Sequence, residues 1–143
     1  MLRPFAPADI ERIVPQPSQA LDAEGRARIV GQSVPRGPCW TYEGGDGRVL
    51  CIGGFAHVHN EWATAWTILA DDIGAAMVGL TRTVRQQLHD HDCARIDMHV
   101  DPAHLAGARW AALLGFRMEA WLERALPMGR PMGVWLFDRG IYG

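Results

Sequence analysis

The sequence predicts a single α/β domain over residues 1–143, built on a mixed, mainly antiparallel central sheet with helices on both faces. Three observations point there. Runs of apolar and small residues at 39–43, 48–55 and 62–69 have the length of strands and are bounded by Gly, Pro and Asn. An apolar stripe of Ile73, Met77, Leu80, Val84 and Leu88 follows at spacings of three and four, which is helical. A second strand and helix then lead into two alternating segments, 116–125 and 132–137, joined through Pro127 to Arg130 as a closing hairpin.

In chain order, Leu2 to Phe5 reads as a short strand. Asp9 is placed to cap a helical turn that Pro15 and Pro17 end. Ser18 is expected to cap a second helix carrying Leu21, Ile29 and Val30, and residues 33–38, with two prolines and a glycine, read as a loop. Gly44 to Gly47 suit a tight hairpin. Gly53 and Gly54, inside an apolar strand, predict a bulge or the close approach of another backbone. Trp62 to Leu69 has no polar face, as a central strand covered on both sides should not. In the strand at 94–100, Ile96, Met98 and Val100 point one way and Asp97, His99 and Asp101 the other. Asp101 and Pro102 suit the start of a helix and Gly115 its end.

Composition narrows the partners. With 48% hydrophobic and 21% charged residues, the chain can bury a core without disulfides or metal. The 14 basic and 16 acidic residues are dispersed and leave a net charge of -2, which argues against nucleic acid and anionic membranes as partners. Cys39, Cys51 and Cys93 lie in or beside apolar segments without a paired spacing, so reduced buried thiols and a cytoplasmic location are expected. Residues 1–5 lack the apolar core of a signal peptide, and no run reaches the about 18 apolar residues of a membrane span.

The run Ala108 to Glu119, with Gly115-Phe116 at its centre, resembles the fourth helix and sixth strand of the GNAT (GCN5-related N-acetyltransferase) superfamily. Leu2 to Phe5 with Ala8 and Asp9 resembles its opening strand and helix start, and the element order matches along nearly the whole chain. The resemblance implies acetyl-CoA as co-substrate, held where the fourth and fifth strands splay apart. Its pyrophosphate would rest on a loop written Gln/Arg-x-x-Gly-x-Gly/Ala. The matching positions are Asp71, Asp72, Ile73, Gly74, Ala75 and Ala76, with Ile68 and Leu69 on the strand edge beside the pantetheine. Small residues at a helix start let phosphate oxygens approach free N–H groups. An acid at the first position opposes this by repulsion, and Asp71 or Asp72 can instead cap the helix, with the small residues serving packing. The general acid that the family places in the fourth helix, a tyrosine, is Ala111 here. Glu61 is the candidate for ordering the water that takes the amine proton, with His57, His59 and His99 as alternatives and an ordinary strand-end acid as the competing reading.

Two functions follow. One is acyl transfer from CoA to a small-molecule or peptide amine. The other is a GNAT-fold binding or assembly module without catalysis, since the compact length and altered loop resemble acetyltransferase-related proteins of tailed phages and prophages. The closing hairpin offers an edge for a homodimer. His57, His59, the run His89 to Cys93, and His99 with Asp101 supply zinc-ligand chemistry. Nothing in the sequence places that run beside His57, however, and a polar turn belongs there anyway, so no metal is assigned.

Overall fold

A computed structural model describes residues 1–19 and 23–142. Seven strands form one sheet: β1 (Leu2–Pro4), β2 (Cys39–Glu43), β3 (Val49–His59), β4 (Trp62–Leu69), β5 (Arg95–Val100), β6 (Phe116–Leu122) and β7 (Met132–Phe137). Their spatial order is β1-β2-β3-β4-β5-β7-β6. Only β4 and β5 run parallel, joined by a crossover through a long helix at 76–90, so the sheet is mixed and mainly antiparallel as expected. The helices are α1 (Asp9–Arg12), α2 (Ala23–Arg28), α3 (Ala76–Asp90), α4 (Leu105–Leu114) and α5 (Arg139–Tyr142). No helix among the described residues is long and apolar enough to cross a membrane.

The long helix forms on its predicted stripe. Leu80, Val84 and Leu88 are buried along α3 and pack with Ile52 and Cys51 of β3, Ile96 of β5 and Leu114 of α4 in one core. Trp110 of α4 donates from its indole N–H to the Thr81 hydroxyl at 2.9 Å, which fixes the two helices against each other. The Gly53–Gly54 pair marks a close approach and not a bulge. A Cβ on Gly53 would stand 2.6 Å from the Trp40 ring, and one on Gly54 2.7 Å from the Pro38 carbonyl oxygen.

Several expected boundaries move. Strand β3 continues past Phe55 to His59 because Phe55, Ala56 and His57 keep pairing with Ala65, Thr64 and Ala63, which shortens the turn to Asn60 and Glu61. Strand β6 stops at Leu122, ahead of Arg124, which adopts a left-handed φ of 57°. Helix α4 starts at Leu105, later than the Asp101–Pro102 pair suggested. The Asp101 carboxylate accepts the Ala103 N–H at 3.0 Å and pairs with Arg130 at 2.7 Å, so it closes a turn and does not cap the helix. Residues 34–36, read as loop, make a 3-10 turn that continues α2 and a π-helical turn at Ile29–Ser33. The Ser18 side chain, expected as a cap, and Leu21 lie outside the described residues.

Asp9 also does something other than cap. It is 1% exposed and takes both forks of the Arg3 guanidinium at 2.8 and 2.7 Å, the Thr41 hydroxyl at 2.8 Å and the Ala6 N–H at 2.9 Å. Those donors tie β1, α1 and β2 together. The Arg3 pairing holds the Asp9 carboxyl down at about 2 despite its burial.

Candidate active site

Strands β4 and β5 pair only at their beginnings, where Trp62, Ala63 and Thr64 face Arg95, Ile96 and Asp97. Beyond that, β4 keeps its pairing with β3 to Leu69, while β5 runs on beside β7 to Val100. The two strands therefore open as a fork. Asp97 closes its narrow end: 1% exposed, it accepts the Thr64 hydroxyl at 2.7 Å, the Trp62 indole N–H at 3.1 Å and the Arg95 guanidinium at 3.0 Å. Arg95 is held in turn by both carboxylate oxygens of Glu119 on β6, which lowers the Glu119 pKa.

A cavity of about 490 Å³ fills the open end. Its walls are β4 from Thr64 to Thr67 with Leu69, β5 from Met98 to Val100, Ile73 and Met77 at the start of α3, and Trp110 of α4. His99 and His104 bring imidazoles to it. Separation from β5 leaves backbone groups on the β4 edge without a strand partner, and such groups must be bonded elsewhere. Gln19 supplies the bonds: its amide nitrogen donates to the Thr67 carbonyl at 2.8 Å, and its amide oxygen accepts the Leu69 N–H at 2.9 Å. The Gln16 N–H completes the edge at the Leu69 carbonyl, at 2.9 Å.

At the wide end the chain turns into α3 through Gly74, whose φ of 49° suits a residue without a side chain. The N–H groups of Ala76 and Met77 donate back to Ile73 and Gly74 at 3.1 Å. Those of Gly74 and Ala75 meet no acceptor among the described residues. No side chain caps the helix. Asp72 pairs with Arg48 of the β2–β3 hairpin, and the Asp71 N–H donates to Val14 at 2.9 Å. Both acids line a shallow depression with Arg12 and Arg48, so neither takes up the helix donors. The expectation that one of them caps α3 is corrected by the reach of Arg48.

The other predicted residues divide between the two ends of β4. Leu69 and Ile73 line the cavity, Ile68 is buried in the core, and Ala75 and Ala76 open α3. Glu61 is not brought to the cavity. It sits in the β3–β4 turn, at the far end of β4, in a depression shared with residues 89–94 and Arg139. Its N–H donates to His59 Nδ1 at 3.0 Å. Of the alternative histidines, only His99 reaches the cavity. Ala111 is fully buried. Asp97 and Gln19 were missed. Alternation along β5 set Asp97 on the face opposite Ile96 and assigned it no role, and the one available signal was an acid inside an otherwise apolar strand.

No family model matches the chain, and no curated protein matches its sequence. Solved structures do match in shape. A candidate phosphinothricin N-acetyltransferase superposes with a TM-score of 0.78 at 14% identity, over 96% of this chain and 97% of that one. A chimera of spermidine N-acetyltransferase SpeG from Vibrio cholerae and hSSAT gives 0.71 at 12% identity, over 99% and 96%. The IAA acetyltransferase from Bacillus cereus gives 0.71 at 12% identity, over 96% and 97%.

The chain has the GNAT acetyltransferase fold. At such low identity the GNAT likeness is one of backbone path, and the side chains at the fork are this chain's own.

Proposed function

We propose that the chain transfers an acyl group from CoA to a small amine. The observation that carries this reading is the continuity of the fork, its cavity and the turn at Gly74–Ala75, where two N–H groups meet no acceptor among the described residues. A thioester arm fits an apolar slot beside a strand edge, and a pyrophosphate fits N–H groups at a helix start. The backbone at the turn accommodates the group: a Cβ at Gly74 would meet nothing nearer than the Asp72 carbonyl at 3.7 Å. Bound there, acetyl-CoA supplies an activated acyl carbon.

The chain's own contributions are positioning and proton removal. Met98, Val100 and Trp110 exclude water from the slot. An amine attacks only as the free base, so a C–N bond forms as the C–S bond breaks, and the ammonium proton passes to a nearby base. Of the bases that the sequence offers, Glu61, His57, His59 and His99, His99 alone is on the cavity wall, and it is given that role. With alanine at position 111, the departing thiolate takes its proton from solvent. The phosphinothricin and spermidine enzymes of this fold act on small amines, and this chain is assigned the same acceptor class.

The test is release of CoA thiol from acetyl-CoA in the presence of a panel of small amines, including spermidine and phosphinothricin. Turnover with at least one amine, falling about a hundredfold or more in His99→Asn with unchanged acetyl-CoA affinity, is the expected result. Acetyl-CoA binding without turnover on any amine would overturn catalysis and leave the binding-module reading. No binding would overturn both roles for CoA.

A further inference from the structure

At the end of the sheet remote from the fork, three side chains converge from separate parts of the chain. His57 comes from the end of β3, while His91 and Cys93 come from the turn between α3 and β5. One nitrogen of each imidazole and the Cys93 sulfur all lie within 4.8 Å of one another. The two Nε2 atoms face each other at 3.0 Å.

Each ring is held for that encounter. His57 Nδ1 lies 3.1 Å from the His59 carbonyl oxygen, so it carries the proton and donates, which leaves Nε2 as a lone pair aimed at His91. A backbone carbonyl on the far nitrogen is the usual way a ligating histidine has its tautomer fixed. Gly37 lies behind the same ring: a Cβ there would stand 3.0 Å from His57 Cδ2. His91 stacks flat on Phe55, with centroids 4.0 Å apart and planes 6° from parallel. Arg139 donates to the carbonyls of His89 and His91 at 2.9 and 2.7 Å, which fixes the backbone of the turn. Cys93 is 7% exposed, shielded from oxidants yet bordering a depression open to solvent.

We infer that His57, His91 and Cys93 bind a zinc ion, with water in the fourth position. Two imidazoles and a thiolate are a borderline-soft set that suits Zn²⁺ and not Mg²⁺ or Ca²⁺. Tetrahedral zinc with ordinary bond lengths places its nitrogens about 3.4 Å apart and nitrogen and sulfur about 3.6 Å apart, so on binding the rings part by a few tenths of an ångström and the Cys93 sulfur moves in by up to about 1.2 Å, within reach of a side-chain rotation. The ion replaces the proton shared between the two Nε2 atoms, and the displaced proton moves to His91 Nδ1. The Cys93 thiol loses its own proton to solvent, one per ion bound. The ion joins the β3–β4 hairpin to the C-terminal end of α3. It lies about 22 Å along that helix from the CoA turn, at 1.5 Å per residue, and does not depend on the acyltransferase reading.

The test uses Co²⁺ as a spectroscopic stand-in, titrated into the metal-free protein under reducing conditions. One Co²⁺ per chain should give a sulfur-to-cobalt charge-transfer band with tetrahedral visible bands, and Zn²⁺ should displace it. Cys93→Ser should abolish the charge-transfer band. His57→Gln and His91→Phe, the latter keeping the stack on Phe55, should each weaken binding by at least about a hundredfold, the upper range for losing a mere second-shell partner. His89→Ala, whose ring meets Phe137, is the control and should bind as wild type. Far-ultraviolet circular dichroism checks that the variants are folded. No charge-transfer band in the wild type, a band that survives in Cys93→Ser, or undiminished affinity in both histidine variants would each overturn the inference and leave a histidine pair joined by a hydrogen bond.

Discussion

The two ends of α3 present opposite chemistry. At its start no side chain caps the helix, and the N–H groups of the exposed Gly74 and Ala75 meet no acceptor among the described residues, next to residues that line an apolar slot. At its finish the nearby carbonyls of Leu88, His89, His91 and Cys93 are taken by the Arg139 guanidinium, and side-chain nitrogen and sulfur gather beside them. The helix dipole favours an anion at the first end and a cation at the second. The comparison teaches what each kind of site requires. Backbone donors and small residues make an anion site out of one short run of chain, whereas a soft cation site needs side chains delivered from distant positions by the tertiary fold.

The comparison can be broken by loosening the helix that joins the ends. Leu80 is 0% exposed at the middle of α3, and Leu80→Ala should cost about 2–5 kcal/mol in a urea unfolding series. It should weaken ligand binding at both ends together, and an effect at one end only would show that the ends are not held by the same packing. Cys93→Ser should separate them, removing cobalt binding while leaving acetyl-CoA affinity within about twofold, a difference under 0.5 kcal/mol.

The acid limit of the fold itself is set at neither end. The Asp9 carboxyl is held at about 2, below its ordinary 3.8, so it contributes stability that is fully present above pH 4 and is lost as pH falls through 2. The contribution is about 2 kcal/mol. Unfolding free energy measured against pH should show this acid limb, and Asp9→Asn should flatten it while lowering stability at neutral pH. Arg139→Ala, the smallest of these effects, should cost about 1–2 kcal/mol through the carbonyls it leaves unpaired and should weaken cobalt binding without touching the CoA end.

How much of this was readable without coordinates follows the same division. Trp62–Leu69, Met132–Phe137 and Cys39–Glu43 form with the bounds that alternation predicts, because strand periodicity is local. The entrance to α3 was readable too as a run of small residues, 74–76, and Gly74 takes a positive φ there. What escaped was tertiary. Asp9 reads as a helix cap until β2 places Thr41 beside it, and Asp97 is only one of three polar residues on a strand face until Thr64 and Trp62 bond to it. Gln19 bonds to β4 from 48 and 50 residues away, and His57 meets His91 across 34. Glu61 lies away from the cavity for a geometric reason: it opens β4 at the closed end of the fork, beyond the point that Asp97 ties.

The most direct test of the central claim is calorimetric titration with acetyl-CoA and with desulfo-CoA, comparing wild type with Ala75→Glu. Ala75 is exposed with helical φ, so the substitution brings a carboxylate to the open N–H groups without straining the turn. The account predicts that the wild type binds both ligands and that Ala75→Glu binds them at least about tenfold more weakly, a loss of about 1.4 kcal/mol or more. Absence of binding in the wild type, or equal affinity in the two proteins, would contradict it.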